Sequence, residues 1–175
     1  MHALLIARSI RAPLALSLAL LTSACAAGDP TAGTWNQPDA VCPLPAFLGA
    51  DLNVDATLVL DPDVEPPAFR LTMDLEAAGL VDLMVVEGTY TEDGTNLTLR
   101  STGFVIEPPS TNTADIDVDG SQCITLAGFA GSRVCLPSPQ TNAYTQAGAE
   151  LQIALDYTVV GEAQQCGFDL GLVRR

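Results

Sequence analysis

The chain contains no lysine, and its only histidine is His2, next to the N-terminus. This excludes Ser-His-Asp and Cys-His catalytic groups, lysine nucleophiles and histidine-ligated metals from the rest of the chain. A glycine-rich phosphate loop and a dinucleotide fingerprint are also missing. Carboxylate pairs, hydroxyl groups, tyrosine and arginine remain for catalysis, and a glycosidase-like pair of carboxylates is allowed. Because 21 acidic residues form close pairs by chance, we expect a protein that is not an enzyme.

Positive charge and aromatic side chains are scarce as well. Seven basic residues stand against 21 acidic ones, and the formal net charge is −14. This charge repels nucleic-acid phosphates, so we expect no nucleic-acid partner. It favours cations or a basic partner, although solubility alone would also explain an acidic composition. Aromatic residues make up 5% of the chain, which argues against a stacking platform for sugars.

The N-terminus has the three parts of an export signal. Arg8 and Arg11 supply positive charge, the apolar run APLALSLALL follows, and small residues come after it at positions 22–24. The apolar run is shorter than the about 20 residues that span a bilayer. We therefore expect an exported chain whose leader is removed.

The stretch LTSAC, which ends at Cys25, resembles the lipobox of bacterial lipoproteins. The resemblance implies a signal peptide over residues 1–24 and a lipidated Cys25 with a tether over residues 25–31. Residues 32–175 are then expected to form one β-domain. It also implies a membrane partner through the N-terminal lipid. Ala26 directly after the cysteine favours the outer membrane of a cell envelope. The alternative is an ordinary signal-peptidase site, since Ala24-Cys25-Ala26 fits an A-x-A pattern.

If Cys25 carries the lipid, four cysteines remain, which predicts two disulfides in an exported domain. Three connectivities are open to them. In the stretch CITLAGFAGSRVC, a hairpin that places Cys123 opposite Cys135 brings their Cα atoms within disulfide range. Cys42 would then pair with Cys166 and join the start of the domain to its last strand. Such a link suits a closed barrel.

The rest of the chain alternates between apolar and polar residues in short segments separated by proline-rich loops. This period of two predicts antiparallel strands with one buried face and one solvated face. The clearest segments are residues 53–60, 68–76 and 150–160. Their predicted inward side chains are Val54, Ala56, Leu58, Leu60, Phe69, Leu71, Met73, Leu75, Leu151, Ile153, Leu155, Tyr157 and Val159.

The dipeptide Asp93-Gly94 suits a two-residue type I′ hairpin turn. The turn fixes the register of the strands on either side of it. The predicted opposite pairs are Glu87 with Arg100, Thr89 with Thr98, and Tyr90 with Leu97.

The stretch DIDVDGSQCITL permits two interpretations. Asp115, Asp117 and Asp119 match the first half of a calcium loop, but Leu126 stands where a bidentate carboxylate is needed. The favoured alternative is a hairpin with Asp119-Gly120 in the turn, outward aspartates, and Ile116 and Val118 inward. Weak calcium binding is the minority interpretation, and no other cofactor is expected.

The motif Gly33-Thr34-Trp35, the successive hairpins and a final strand ending in arginine resemble lipocalins. The resemblance implies an all-β, antiparallel up-and-down barrel, in which Trp35 closes one end and Arg174 packs on it. A β-sandwich or an open barrel is the alternative fold. We expect a non-enzymatic envelope lipoprotein whose barrel carries a small apolar ligand. The alternative is a structural or partner-binding envelope module, with weak calcium binding.

Overall fold

The computed structural model describes residues 31–43, 51–77, 80–107, 110–127 and 132–173. The predicted signal peptide (residues 1–24), Cys25 and Arg174 lie outside the described residues. Within the described ranges, no helix is long and apolar enough to cross a membrane, and the chain forms eleven strands. These are β1 (Gly33–Cys42), β2 (Leu52–Asp61), β3 (Ala68–Ala77), β4 (Leu80–Glu92), β5 (Asn96–Glu107), β6 (Thr113–Ile116), β7 (Gln122–Leu126), β8 (Ser132–Leu136), β9 (Gln140–Ala147), β10 (Glu150–Val159) and β11 (Glu162–Leu172).

Eight of the strands close into an antiparallel barrel. The strands β1 to β5 neighbour one another in sequence order, followed by β9, β10 and β11. The last strand returns to the first, with Trp35 opposite Leu172 and Asn36 opposite Gly171. Consecutive neighbours of this kind form an up-and-down barrel, which has no free sheet edge. The predicted barrel is confirmed, in place of a sandwich or an open barrel.

The strands β6, β7 and β8 form an insertion in the barrel wall. Both β8 and β9 pair with β10: Cys135 of β8 lies opposite Thr158, and Tyr144 of β9 lies opposite Ile153. The strand β7 pairs with β8, and β6 pairs with β7 and lies against β5. We call the end where β9 bridges β5 and β10 the narrow end. The wide end is the opposite one, where β6, β7 and β8 stand between β5 and β10.

Side chains replace the ladder hydrogen bonds at the point where the wall divides. The residues between β8 and β9 include Pro137 and Pro139, which have no N–H to donate. Ser138 Oγ accepts a hydrogen bond from the Ser101 N–H of β5 at 2.9 Å. Gln140 Oε1 accepts one from the Asp156 N–H of β10 at 3.2 Å. The backbone N–H groups of Ser101 and Asp156 are therefore hydrogen-bonded although the strand ladder is interrupted here.

The alternating pattern places the apolar side chains inside the barrel. All thirteen side chains predicted to face inward are buried. Arg70, Asp74 and Glu76, which alternate with them on β3, are exposed. The sequence rule for half-buried strands is confirmed on all three segments.

The register of the β4–β5 hairpin differs from the predicted one by two residues. Thr98 lies opposite Thr91, and Arg100 lies opposite Thr89. Glu87 instead forms an ion pair with Arg70 on β3. The cause is the Asp93 carboxylate, whose Oδ1 accepts hydrogen bonds from the N–H groups of Thr95 and Asn96 at 2.9 and 2.7 Å. These bonds stabilise the three residues 93–95 that connect β4 to β5, in place of the predicted two-residue turn.

Both predicted disulfides are present. Cys123 and Cys135 lie directly opposite each other on β7 and β8, with Cα atoms 4.0 Å apart. The predicted register of this hairpin is confirmed. Cys42 at the end of β1 is bonded to Cys166 of β11, with a Cα separation of 5.0 Å.

The stretch DIDVDG forms a hairpin between β6 and β7, but its apolar side chains are not buried. Ile116 is 59% exposed and Val118 is 104% exposed, so the prediction that both face the core is wrong. Val118 lies in the turn that the Gly120 N–H closes on the Asp117 carbonyl at 2.9 Å. Ile116 lies opposite Gln122, on the β6 strand at the end of the insertion. All four residues of β6 are exposed.

Candidate ligand-binding cavity

A cavity of about 50 Å³ lies inside the barrel at the wide end. Eight strands contribute to its walls: β1 to β4, β7, β8, β10 and β11. The described residues of the lining are apolar apart from two, Gln122 and Tyr157. The cavity therefore spans the boundary between the barrel and the inserted strands.

The walls are inward positions of the strands near the wide end. Met73 of β3 lies directly opposite Met84 of β4, and both line the cavity. Their exposed fractions are 4% and 5%. Methionine has an unbranched, polarizable side chain that adapts its shape to the group next to it. This part of the wall can therefore adjust to an occupant.

The opposite part of the wall is fastened by a disulfide and a hydrogen bond. The disulfide between Cys42 and Cys166 belongs to the lining, and both residues are 2% exposed. The Tyr157 hydroxyl donates a hydrogen bond to the Pro43 carbonyl. Burial raises the pKa of Tyr157 above its ordinary value of 10.0, so the phenol stays protonated and keeps this bond at neutral pH.

Gln122 is the exceptional member of the lining. It begins β7, is 1% exposed, and faces Leu136 of β8. Its side-chain oxygen Oε1 is shielded from solvent and accepts no hydrogen bond from the described residues. The surface that an occupant of the cavity would meet is therefore almost wholly apolar.

The three aspartates that match half a calcium loop lie at the outer side of the inserted strands. Arg133 of β8 donates to Asp115 at 2.8 Å and to Asp117 at 3.3 Å. These contacts, the Asp115 hydrogen bond first, raise the pKa of Arg133 above its ordinary value.

The third aspartate has different partners. Asp119 accepts a hydrogen bond from the Ser121 N–H at 2.8 Å, and this bond holds its pKa below the ordinary value. Among the described residues no three metal-ligating side chains converge on one point. Calcium binding at these aspartates stays a prediction.

Trp35 lies at the narrow end, away from the cavity. It is fully buried within β1, and its indole N–H donates to the Thr31 carbonyl at 2.7 Å. The Thr31 hydroxyl in turn donates to Glu92 at 3.1 Å, and the Tyr144 hydroxyl donates to the same carboxylate. These bonds join the residues before β1 to the end of β4 and the middle of β9. The predicted contact of Arg174 with Trp35 lies outside the described residues.

The strand order and closure define the chain as an antiparallel up-and-down β-barrel of the lipocalin-like type, with three inserted strands. No protein-family model matches the chain, and neither the curated proteins nor the solved structures contain a match. The function must therefore be argued from the cavity itself.

Sequence reasoning located some of the cavity residues but not the cavity. Cys42, Cys166, Met73 and Tyr157 are predicted as inward or disulfide-bonded residues, and the structure brings them together. Gln122 was not identified from the sequence. A signal for it exists: in QCITL, Gln122 is in phase with the buried Ile124 and Leu126. A polar residue in an inward position of a strand is a candidate ligand contact.

Proposed function

We propose that the chain is a non-enzymatic lipoprotein of a bacterial envelope whose barrel carries a small apolar ligand at its wide end. The observation that supports this most is the apolar cavity between the barrel and the inserted strands. A closed barrel of eight strands has an interior that side chains nearly fill, with room at most for one small ligand. Among the residues that the structure describes, the lining of the cavity contains no acidic side chain.

The size of the cavity limits the ligand. An apolar cavity of about 150 Å³ binds benzene or xenon, and pockets that enclose drug-sized molecules measure roughly 300–1,000 Å³. At about 50 Å³, this cavity suits a very small molecule or the end of a longer one. Rearrangement of Met73 and Met84 would enlarge it.

The proposed anchor is Cys25, which lies outside the described residues. Its support is the lipobox-like stretch and the short segment between it and β1, which begins at Gly33. Lipidation would hold the barrel at the outer membrane by several acyl chains, since a single chain holds only marginally. The substitution Cys25→Ser should release the protein from the membrane fraction and remove the lipid mass. An unchanged membrane fraction would contradict the anchor.

The alternative function is a structural or partner-binding envelope module. It is favoured by the extent to which apolar side chains fill the rest of the barrel and by the negative charge, which would attract a basic partner. Weak calcium binding belongs to this alternative. It would require Asp115 and Asp117 to exchange Arg133 for the ion, so a stoichiometric calcium adduct lost in Asp117→Asn would support it.

Native mass spectrometry separates the two functions. The protein would be exported with Cys25→Ser, to prevent acylation, and analysed beside a Val134→Phe variant. Val134 lines the cavity, so a phenylalanine there should fill it. Ligand carriage predicts a small adduct on the first protein that is lost in the second. Adduct-free masses for both proteins, each at the value calculated from its sequence, with a basic envelope protein retained by both, would instead support the partner-binding module.

A further inference from the structure

The barrel is closed unevenly between its first and last strands. In the described part of the chain, β1 and β11 share two backbone pairs near the narrow end, and the second of them joins Asn36 to Gly171. Toward the wide end, the disulfide between Cys42 and Cys166 joins the same two strands. We call the stretch between the Asn36–Gly171 pair and this disulfide the lateral window. On its other edge, β11 pairs with β10 over ten consecutive residue pairs.

The sequence of β1 explains why its pairing with β11 stops. Pro38 has no N–H to donate. Asp39 has a φ of 55°, and one extra residue bulges out of β1 between Gln37 and Ala40 relative to β2. The Asp39 N–H donates to the Asp55 carboxylate of β2 at 2.6 Å. This part of β1 is therefore held by β2 and not by a ladder with β11.

The side chain of Gln37 spans the lateral window. Gln37 lies opposite the buried Ala56 of β2, and its Oε1 accepts a hydrogen bond from the Asp169 N–H of β11. The residue is half-buried, and it does not belong to the described lining of the cavity. Its bond to Asp169 thus connects the two strands where their backbones are not paired.

The cavity borders the lateral window. Cys42 of β1 and Cys166 and Phe168 of β11 belong to its lining. Two other seams with little pairing fit less well. The strands β5 and β6 are not paired with each other, but β5 contributes no described residue to the lining. The strands β8 and β10 share two pairs, but one of them joins the lining residue Val134 to Val159, so this ladder is intact beside the cavity.

We infer that the occupant of the cavity enters and leaves through the lateral window, when the bond between Gln37 and Asp169 breaks and the edges of β1 and β11 separate. This inference rests on the proposed ligand carriage and adds the route that the ligand takes. Separation here breaks one side-chain hydrogen bond, whereas opening a laddered seam breaks several backbone bonds. The backbone pairs at one end and the disulfide at the other limit the opening to narrow molecules, which agrees with the small volume of the cavity.

Xenon is a suitable probe, because a single apolar atom suits an apolar cavity of about 50 Å³. In the full chain with Cys25→Ser, the methyl NMR shifts of Met73 and Met84 give its dissociation constant, and xenon NMR saturation transfer gives its exit rate. The test variant is Gln37→Ala. It should raise the entry and exit rates by the same factor, about fivefold for one lost hydrogen bond, and leave the dissociation constant unchanged.

The matched control is Gln165→Ala. Gln165 also connects β11 to a neighbouring strand, since its Nε2 donates to the Asp156 carboxylate of β10 at 2.9 Å. The backbones of these two residues are paired, however, within the long β10–β11 ladder. The xenon exchange rates of this variant should therefore equal those of the unaltered protein.

The outcomes separate the route from the cavity. If the exchange rates are equal in all three proteins, or rise equally in both variants, the inference is overturned and apolar ligand carriage remains. A dissociation constant that changes in Gln37→Ala at constant entry rate would also overturn it. If xenon does not shift the methionine signals of the unaltered protein, both proposals fail. Should Gln37→Ala not fold, Gln37→Met, which keeps the length of the side chain and removes the acceptor, is measured against the same expectations.

Discussion

The two disulfides should contribute unequally to stability, because they close loops of very different length. Cys42 and Cys166 are separated by 124 positions, and Cys123 and Cys135 by 12. In the chain-entropy model, the first bond stabilises the folded state by about 5 kcal/mol and the second by about 3 kcal/mol. We therefore expect replacing the Cys42–Cys166 pair by alanines to cost about 2 kcal/mol more than replacing the other pair.

The strand pairing around each disulfide also indicates that the Cys42–Cys166 bond contributes more to stability. The strands β1 and β11 share two residue pairs, both near the narrow end. Beyond them the Asp169 N–H donates to the Gln37 side chain, and Cys42–Cys166 joins the two strands near the wide end. The strands β7 and β8, in contrast, share five consecutive pairs, so their ladder remains if the disulfide is lost.

The assay is urea unfolding without reductant, which gives a free energy of unfolding and an m-value for each double-alanine variant. Cys42, Cys166 and Cys123 are buried and Cys135 is half-buried, so the packing lost on substitution should be somewhat larger for the first pair and should add to the expected difference. An equal or larger loss for the Cys123–Cys135 variant would refute the reasoning. A changed m-value would show that the substitution had also altered the denatured state. Free energies of unfolding would then be compared only between variants that have the same m-value.

Three further predictions concern the narrow end and the β4–β5 hairpin. Trp35→Ala should cost about 3–5 kcal/mol in the free energy of unfolding, because it removes a fully buried ring and its bond to Thr31; a loss below 1 kcal/mol by urea unfolding would contradict it. Gly88→Ala should cost about 1–3 kcal/mol, since a Cβ there would clash first with the Arg100 carbonyl oxygen and would lie 2.8 Å from both Phe69 Cε1 and Ser101 Cα. Gly103→Ala, where the nearest atom is 3.9 Å away, should be nearly neutral; equal thermal shifts would refute this. Asp93→Asn should flatten the acid side of the stability profile. Hydrogen bonds, first from the Asn96 side chain and then from Thr95, hold the pKa of Asp93 below its ordinary value of 3.8. The stabilisation that the Asp93 carboxylate gives to the folded state is therefore complete above about pH 4 and is lost as the pH falls toward the folded-state pKa. Acid unfolding curves that are unchanged in Asp93→Asn would argue against this prediction.

Local patterns in the sequence were sufficient to predict the barrel. Alternation identified the inward side chains because burial on one face imposes a period of two whichever strands are neighbours. The even cysteine count and the spacing of Cys123 and Cys135 were sufficient to predict the hairpin of β7 and β8. By elimination, they also predicted the disulfide that joins the first and last strands. Closure then followed from the second disulfide.

Features that depend on side-chain hydrogen bonds or on the position of a strand in the wall were not predictable in this way. The Asp93 carboxylate selects the longer loop through bonds to Thr95 and Asn96, and residue type alone also permits the two-residue turn. Ile116 is exposed because β6 is the last strand of the insertion, and periodicity does not reveal that position. The cavity likewise depends on how the inserted strands meet the barrel, which no local pattern encodes.

The central claim is that the wide end holds an apolar cavity that accepts a guest, and xenon tests it most directly. The chain has three methionines, and Met73 and Met84 both line the cavity. With methyl-labelled methionine, xenon pressure should shift both signals in a saturable way, and Val134→Phe should abolish the shifts. Small, linear and unsaturable shifts that are the same in both proteins would contradict a cavity that binds ligand.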